Sequence, residues 1–317
     1  MLESLLIVAQ QVGVLFMLMA VGFACNRAKL LTETSVKGMV NVLILIVTPC
    51  LIVHSFQAHA FRPELLAGLG WAFAFSLLSP ALGMLAAGLF VRNADVRQSS
   101  VLKTSIVFSN AGFMGIPLEQ ALLGTDGVFY GVAYVVVFNL LFWSWALVTF
   151  CGSLKDVRMR TLFLNPGSIG VAVGLPFFLF SWKLPEFVGR PVSMMADLNT
   201  PLAMIIIGFN LANAKFGAVV RLPRAYLVGL LRLVVLPAVF LAVIYGLHRA
   251  GVPFDSKMAV AITIAASAPV AALTSMFAVR YERDVSLSVG LVSGTTLLSI
   301  LTMPPIVGCA MWLFGVA

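Results

Sequence analysis

An all-α membrane protein of ten transmembrane helices, arranged as two inverted five-helix repeats with broken fourth and ninth helices, is the fold this sequence predicts. Three observations predict it: a composition too apolar for water, an alternation of basic loops, and motifs that recur about half a chain apart. Of the 317 residues, 61% are hydrophobic and 10% charged, whereas a soluble domain carries roughly 25% charged residues. Mean hydropathy is +1.05. Such a chain needs lipid against its surface. At about 20 residues per span, roughly ten spans fit, and no length is left over for a soluble domain.

Loops marked by charge, Pro or Gly divide the chain into apolar segments at 5–25, 36–56, 64–91, 100–122, 127–151, 165–182, 192–212, 222–247, 257–279 and 286–314. The first is expected to be a permanent span rather than a signal peptide. It begins with Glu3 instead of a basic stretch, is too long for a signal core, and is followed by Arg27 and Lys29. Loops after the odd-numbered spans hold 14 of the 20 Lys and Arg residues; those on the other side hold 5, and Arg232 lies inside a span. By the positive-inside rule the basic side is cytoplasmic, which places both termini on the non-cytoplasmic side.

Five spans per half invert the second half relative to the first, and the motifs recur accordingly. Thr48-Pro49 in span two returns as Thr200-Pro201 in span seven. Pro80 in span three returns as Pro237 in span eight. Ser109-Asn110-Ala111-Gly112 in span four aligns with Ala266-Ser267-Ala268-Pro269 in span nine, and Asp126 with Asp284. The expected division is a first repeat over 1–152, a short cytoplasmic linker over 153–164, and a second repeat over 165–317.

Span four reads Phe108-Ser109-Asn110-Ala111-Gly112-Phe113-Met114-Gly115-Ile116-Pro117, a poor recipe for a continuous helix. Pro117 lacks an amide hydrogen and clashes with a carbonyl one turn back, while Gly112 and Gly115 let the backbone turn. Freed peptide groups at membrane depth must find protein or water partners, so a break at Gly115 and Pro117 is expected to line a cavity, with Ser109 and Asn110 at its edge. A packing motif of small residues is the competing reading. Span nine has a counterpart in Ser267 and Pro269, with Thr274 and Ser275 further along. Two broken helices at matching positions would bring positive helix N-termini together near mid-membrane, favouring an anion.

Two charges inside spans need a reason. Arg232 either pairs with a substrate carboxylate or caps carbonyls. Asp197 either carries a coupling proton or sodium ion or caps its helix. His54, His59 and His248 fall at loop edges. Cys25, Cys50, Cys151 and Cys309 show no metal spacing and read as small buried apolar residues. The net charge of +8 is scattered over short loops and forms no basic face, which argues against nucleic acid. No catalytic pair and no phosphate-cradling loop is visible, so neither an intramembrane enzyme nor an ATP-driven pump is expected. A channel should show a continuous polar stripe, and spans four and nine have only local clusters.

Asn110-Ala111-Gly112-Phe113-Met114-Gly115-Ile116-Pro117-Leu118 resembles the fourth-helix signature of the auxin efflux carrier family, which includes bacterial malonate and malate carriers. Asn165-Pro166, Asp197 with Ala203-Met204 and Gly208, and Pro269 with Phe277-Ala278 and Tyr281 extend the resemblance over the whole chain. It implies a scaffold domain of helices 1, 2, 6 and 7, a transport domain of helices 3–5 and 8–10, and crossing broken helices four and nine, as in NhaA-type antiporters and bile-acid symporters. It also implies that Asn110 matches a residue contacting the substrate carboxylate, that Pro117 and Pro269 lie in the crossover, and that a homodimer forms through scaffold helices. The short loop after span five, Val270 and Thr274 depart from the plant pattern and make an indole-specific pocket doubtful.

The resulting expectation is a secondary transporter of the bacterial inner membrane that moves a small mono- or dicarboxylate, such as malonate or malate, by alternating access. Ser109, Asn110, Gly112, Ser267, Pro269, Thr274, Ser275 and Arg232 are its candidate substrate-binding residues. No cofactor is expected beyond a coupling proton or sodium ion. A sodium-coupled bile-acid-type symporter and an anion channel are the alternatives.

Overall fold

The computed structural model describes residues 2–92, 95–152, 166–214 and 222–316. The expected linker 153–164 and Asn165 lie outside the described residues. Among those described, the protein is all helix. Its helices are α1 (Leu2–Arg27), α2 (Glu33–Gln57), α3 (Pro63–Phe90), α4 (Val96–Val107), α5 (Ala111–Cys151), α6 (Pro166–Leu179), α7 (Glu186–Ala212), α8 (Pro223–Arg249), α9 (Ser256–Ser267), α10 (Leu273–Arg280) and α11 (Val285–Phe314). Seven of them are long and apolar enough to cross a membrane, and α6 and α9 are shorter apolar helices. Large apolar side chains such as Leu6, Met17, Leu45, Leu85 and Leu301 stand exposed on the helix surfaces. A water-soluble monomer rarely shows so much apolar surface; here lipid covers it.

α5 is a single run of 41 residues, but it does not stay straight. Gly124 adopts φ 62°, ψ −142°, a conformation open to glycine and strained for other residues. The chain turns there, between the part of α5 that follows the Ser109-Asn110 motif and the part that begins at Thr125. Three helices, α2, α5 and α8, contain a π-turn with a proline two residues beyond its end: Leu43–Val47 before Pro49, Ala111–Gly115 before Pro117, and Leu231–Val235 before Pro237. The shared cause is the missing proline N–H and the ring's clash with the carbonyl four residues back. Widening the turn moves that carbonyl aside, so the helix continues instead of stopping.

α1 packs along α7 and α11. The second half of α2 packs on α6 and the start of α7. α5 packs on α3 and α9, while α8 and α9 pack on α11. Where α1 meets α7, Gly22 lies against the Ile205 carbonyl and Gly208 against the Met19 carbonyl, with no room for a Cβ at either position. Such backbone contact compensates for the lack of a hydrophobic drive between helices in lipid. Two apolar cores result, and they meet at the helix interruptions. Ala111 and Ala268 belong to one core, Phe108 and Ala271 to the other.

Gly208→Ala should therefore lower thermal stability in detergent, by about 1–3 kcal/mol as expected for forced overpacking. Gly246→Ala, where nothing lies within 4 Å, should not. Equal melting of the two variants would show that the α1–α7 contact gives way.

Candidate functional site

The helix from α4 stops at Val107 and resumes at Ala111, and the helix from α9 stops at Ser267 and resumes at Leu273. The two interruptions run antiparallel past each other and pair as a minimal bridge between Ser109 and Val270. Asn110 N–H donates to the Pro269 carbonyl (2.7 Å), and Ala271 N–H donates to the Phe108 carbonyl (3.0 Å). Val270 N–H donates to Thr295 Oγ1 (3.1 Å) on α11. Peptide groups that leave a helix at membrane depth need such partners, and each break supplies them to the other.

The first break does not fall where sequence alone places it. Gly115 and Pro117 lie beyond it, in the π-turn and first α-turn of α5. The π-turn absorbs the proline, and the chain opens instead at Phe108-Ser109-Asn110. Pro269 does lie within the second break, with its carbonyl engaged in the bridge.

Arg232 answers the remaining backbone demand. The last carbonyls of a helix have no partner within it and carry its negative dipole end. α4 and α9 both end against the fully buried Arg232 side chain. Its Nε donates to the Ala268 carbonyl (3.3 Å) and one terminal nitrogen to the carbonyls of Ile106 (3.3 Å) and Val107 (3.4 Å). The other terminal nitrogen donates to the Ala266 carbonyl. A guanidinium with five fixed donors suits this task. Arg232 does not line the cavity described next, so the substrate role entertained for it gives way to that of a clamp on two helix C-termini.

The opposite ends of the interruptions face a cavity of about 120 Å³. Ser109, Asn110, Gly112 and Phe113 reach it from the first break and Ala271, Ala272 and Leu273 from the second. The remaining wall comes from α2, α5, α6 and Asn199 on α7, and it is mainly Leu, Ile, Val and Phe. The first turns of α5 and α10 thus open towards the cavity; on α10 the Thr274 and Ser275 amides already donate to the Ala271 and Ala272 carbonyls, while the earliest amides of a helix have no acceptor within it. Asn199 is buried, and its Nδ2 has no partner among the described residues. Thr48 and Asn139 add polar atoms, but each bonds a carbonyl of its own helix. Ser109 Oγ donates to Tyr134 Oη (3.0 Å), which also meets Ser79 Oγ (2.9 Å).

Other candidates lie elsewhere. The Ser267 hydroxyl is buried and donates to the Ile264 carbonyl (2.9 Å). Thr274 is buried with its hydroxyl unpartnered among the described residues. Ser275 lines a second, larger cavity of about 490 Å³. Asp197 is exposed at the end of the first segment of α7, away from the cavity lining. Sequence reasoning passed over Thr48 and Asn199 as wall residues, although Thr48-Pro49 and Thr200-Pro201 had already marked those positions as repeat motifs. It also passed over Glu119.

A family model described as "Membrane transport protein" matches the chain twice, over residues 7–160 and 153–307. The chain belongs to the auxin efflux carrier family. The double match shows two copies of the family's unit in one chain. An uncharacterized transporter of Methanothermobacter thermautotrophicus is 27% identical over 219 residues, covering 67% of this chain and 68% of that protein. An uncharacterized transporter of Methanocaldococcus jannaschii is 21% identical over 302 residues, covering 92% and 94%. As a member of this family the protein is a multi-pass membrane transporter.

Replacing Arg232 with Met should leave several buried carbonyls unpaired, at a cost of about 1–3 kcal/mol each. The expected result is loss of monodisperse protein on size-exclusion chromatography rather than a selective rise in substrate KM. A well-folded Arg232→Met protein with weakened substrate binding alone would restore the substrate role.

Proposed function

We propose that the protein moves a small organic anion across the membrane by alternating access, binding one carboxylate at the helix crossing. The observation that carries this reading is the convergence of donors on one cavity. The N-terminal turns of α5 and α10 line it, and so does Asn199, whose buried Nδ2 has no partner among the described residues. Two helix N-termini and a free amide favour an oxyanion, and the clamped Arg232 balances the opposite helix ends. Asn110, at the lip of the first break, is the side chain best placed to give the carboxylate a further hydrogen bond. Because the rest of the wall is apolar, a carboxylate with a compact hydrocarbon remainder suits it. Malonate and malate remain in the substrate class, but their second carboxylate would meet few polar groups.

Ten spans follow if α5 counts as two, divided at Gly124, and if α4 joins the first part of α5 and α9 joins α10 as interrupted spans. Helices α1, α2, α6 and α7 would then form a scaffold and the remainder a moving unit, the two halves being inverted copies. Two features suit alternation. Phe113 and Ala272 line both cavities, and the larger one extends to Glu33, Lys37 and Asn213, the end that the positive-inside rule makes cytoplasmic. At the other end His59 Nε2 lies 2.8 Å from Asp126 Oδ1, and Lys257 Nζ lies 2.5 Å from Asp126 Oδ2. This cluster ties the end of α2 to α5 and α9. The conformation is accordingly inward-facing, closed on the outer side, in a bacterial inner membrane with both termini outside.

Counterflow of labelled malonate, malate and an indole acid in proteoliposomes tests the substrate class. Asn110→Ala should lower counterflow of the accepted anion by about tenfold or more, the worth of a hydrogen bond to a charged group, while inserting normally. Unchanged kinetics in that variant would remove Asn110 from the site. Asp126→Asn should increase labelling of a cysteine placed at the outer side of the cavity wall; unaltered labelling would mean that the outer cluster does not hold the gate.

A further inference from the structure

Glu119 lies on α5, nine residues beyond Asn110, between the first break and the Gly124 turn. Its side chain is fully buried, and neither carboxyl oxygen has a hydrogen-bond partner among the described residues. The slot that holds it is made by glycines. Oε2 occupies the space that a Cβ at Gly131 would take, Gly127 lies against the Glu119 backbone, and Oε1 is 3.6 Å from the Cβ position of Gly115. After the Gly124 turn, α5 thus folds back over the carboxyl, with the Gly127 and Gly131 backbone close against Glu119.

The surrounding helices bring no charge to neutralise it. The helices packed on this stretch are α9, α3, α2, α6, α1 and α7. α9 carries Lys257, which is bound to Asp126, and α3 carries Glu64 in its first turn. α2 carries Glu33, Lys37, Cys50 and His54, and His59, two residues beyond its end, is bound to Asp126. α6 has no charged residue; α1 has Glu3 and Arg27, and α7 has Glu186, Arg190 and Asp197. On α5 itself the other titratable groups are Asp126, Tyr130, Tyr134 and, at its far end, Cys151, and Tyr134 is engaged with Ser79 and Ser109. None of these is bonded to Glu119. An unpaired carboxylate in such a place costs several kcal/mol, and a carboxyl group avoids that cost by holding its proton.

We propose that Glu119 is a proton-binding site of the transporter: it takes a proton from water on the outer side in the outward-facing state, holds it in the closed slot, and releases it when the slot opens to water on the cytoplasmic side. In the release step the carboxyl O–H bond breaks, the proton passes to water, and the carboxylate keeps the electron pair. The role of this proton in transport rests on the carboxylate reading above. An inside-negative potential of 100 mV opposes entry of a monoanion by about 2.3 kcal/mol. One proton carried with it removes that opposition for a monoanion and halves it for a dianion such as malonate.

The site can be tested without any substrate. Infrared difference spectra of the reconstituted protein, titrated from acid to alkaline pH, should show the C=O band of a protonated carboxylic acid that is lost at high pH and is absent from Glu119→Gln. A band that never titrates marks a structural acid and overturns the proposal, as does the absence of any band assignable to Glu119. If Glu119→Gln does not insert, Glu119→Asp should shift the band. In proteoliposomes, an inward proton gradient should raise malonate uptake by the unaltered protein. In Glu119→Gln it should leave uptake at the level seen without a gradient, while counterflow at equal pH persists. A Glu119→Gln variant that responds fully to the gradient refutes coupling through this residue. Failure of malonate counterflow in the unaltered protein would count against the substrate reading alone, because the infrared titration still decides the proton site.

Discussion

Peptide groups released from a helix inside a bilayer must be satisfied by protein, and that constraint organises this molecule. Two helices stop in mid-course. Each would be untenable alone, and each is stabilised by the other. The Ser109–Val270 bridge pairs their extended residues, Thr295 takes the Val270 amide, and Arg232 gathers carbonyls from both C-termini. A buried guanidinium would be costly without acceptors, and the helix ends would be costly without donors. Placing them together removes both penalties and fixes the crossing.

That arrangement sorts charge along the two interrupted helices. The negative helix ends are capped by a side chain and sealed in protein. The positive ends open on the cavity, where a mobile anion can take the place that Arg232 takes on the other side. On the proposed reading, recognition relies mainly on backbone donors, with Asn110 and Asn199 as side-chain supplements. A site of this kind needs few distinctive residues.

The same economy explains what motif reading could and could not reach. Ser109, Asn110 and Gly112 were legible because they cluster where helix formers are expected, and they do line the cavity. The exact break was not, since Pro117 looks like a helix breaker in sequence while in the fold a π-turn accommodates it. Arg232 was conspicuous as an isolated cation, but whether it faced substrate or carbonyls depended on neighbours 34 to 126 positions away. Glu119 carried no signal at all, because its burial depends on Gly127 and Gly131 beyond a turn at Gly124.

Composition and loop charge alone determined that this chain lives in a bilayer as a bundle of helices, because the solvent preference of each segment is a local property that sums along the chain. The recurrence of Thr-Pro and small polar motifs determined where continuity is weak. Only the tertiary structure decided which ends of the broken helices are sealed and which are open, which hydroxyls turn back on their own helices, and which carboxyl is left without a partner. Those outcomes depend on contacts between segments far apart in sequence, and no local propensity encodes them.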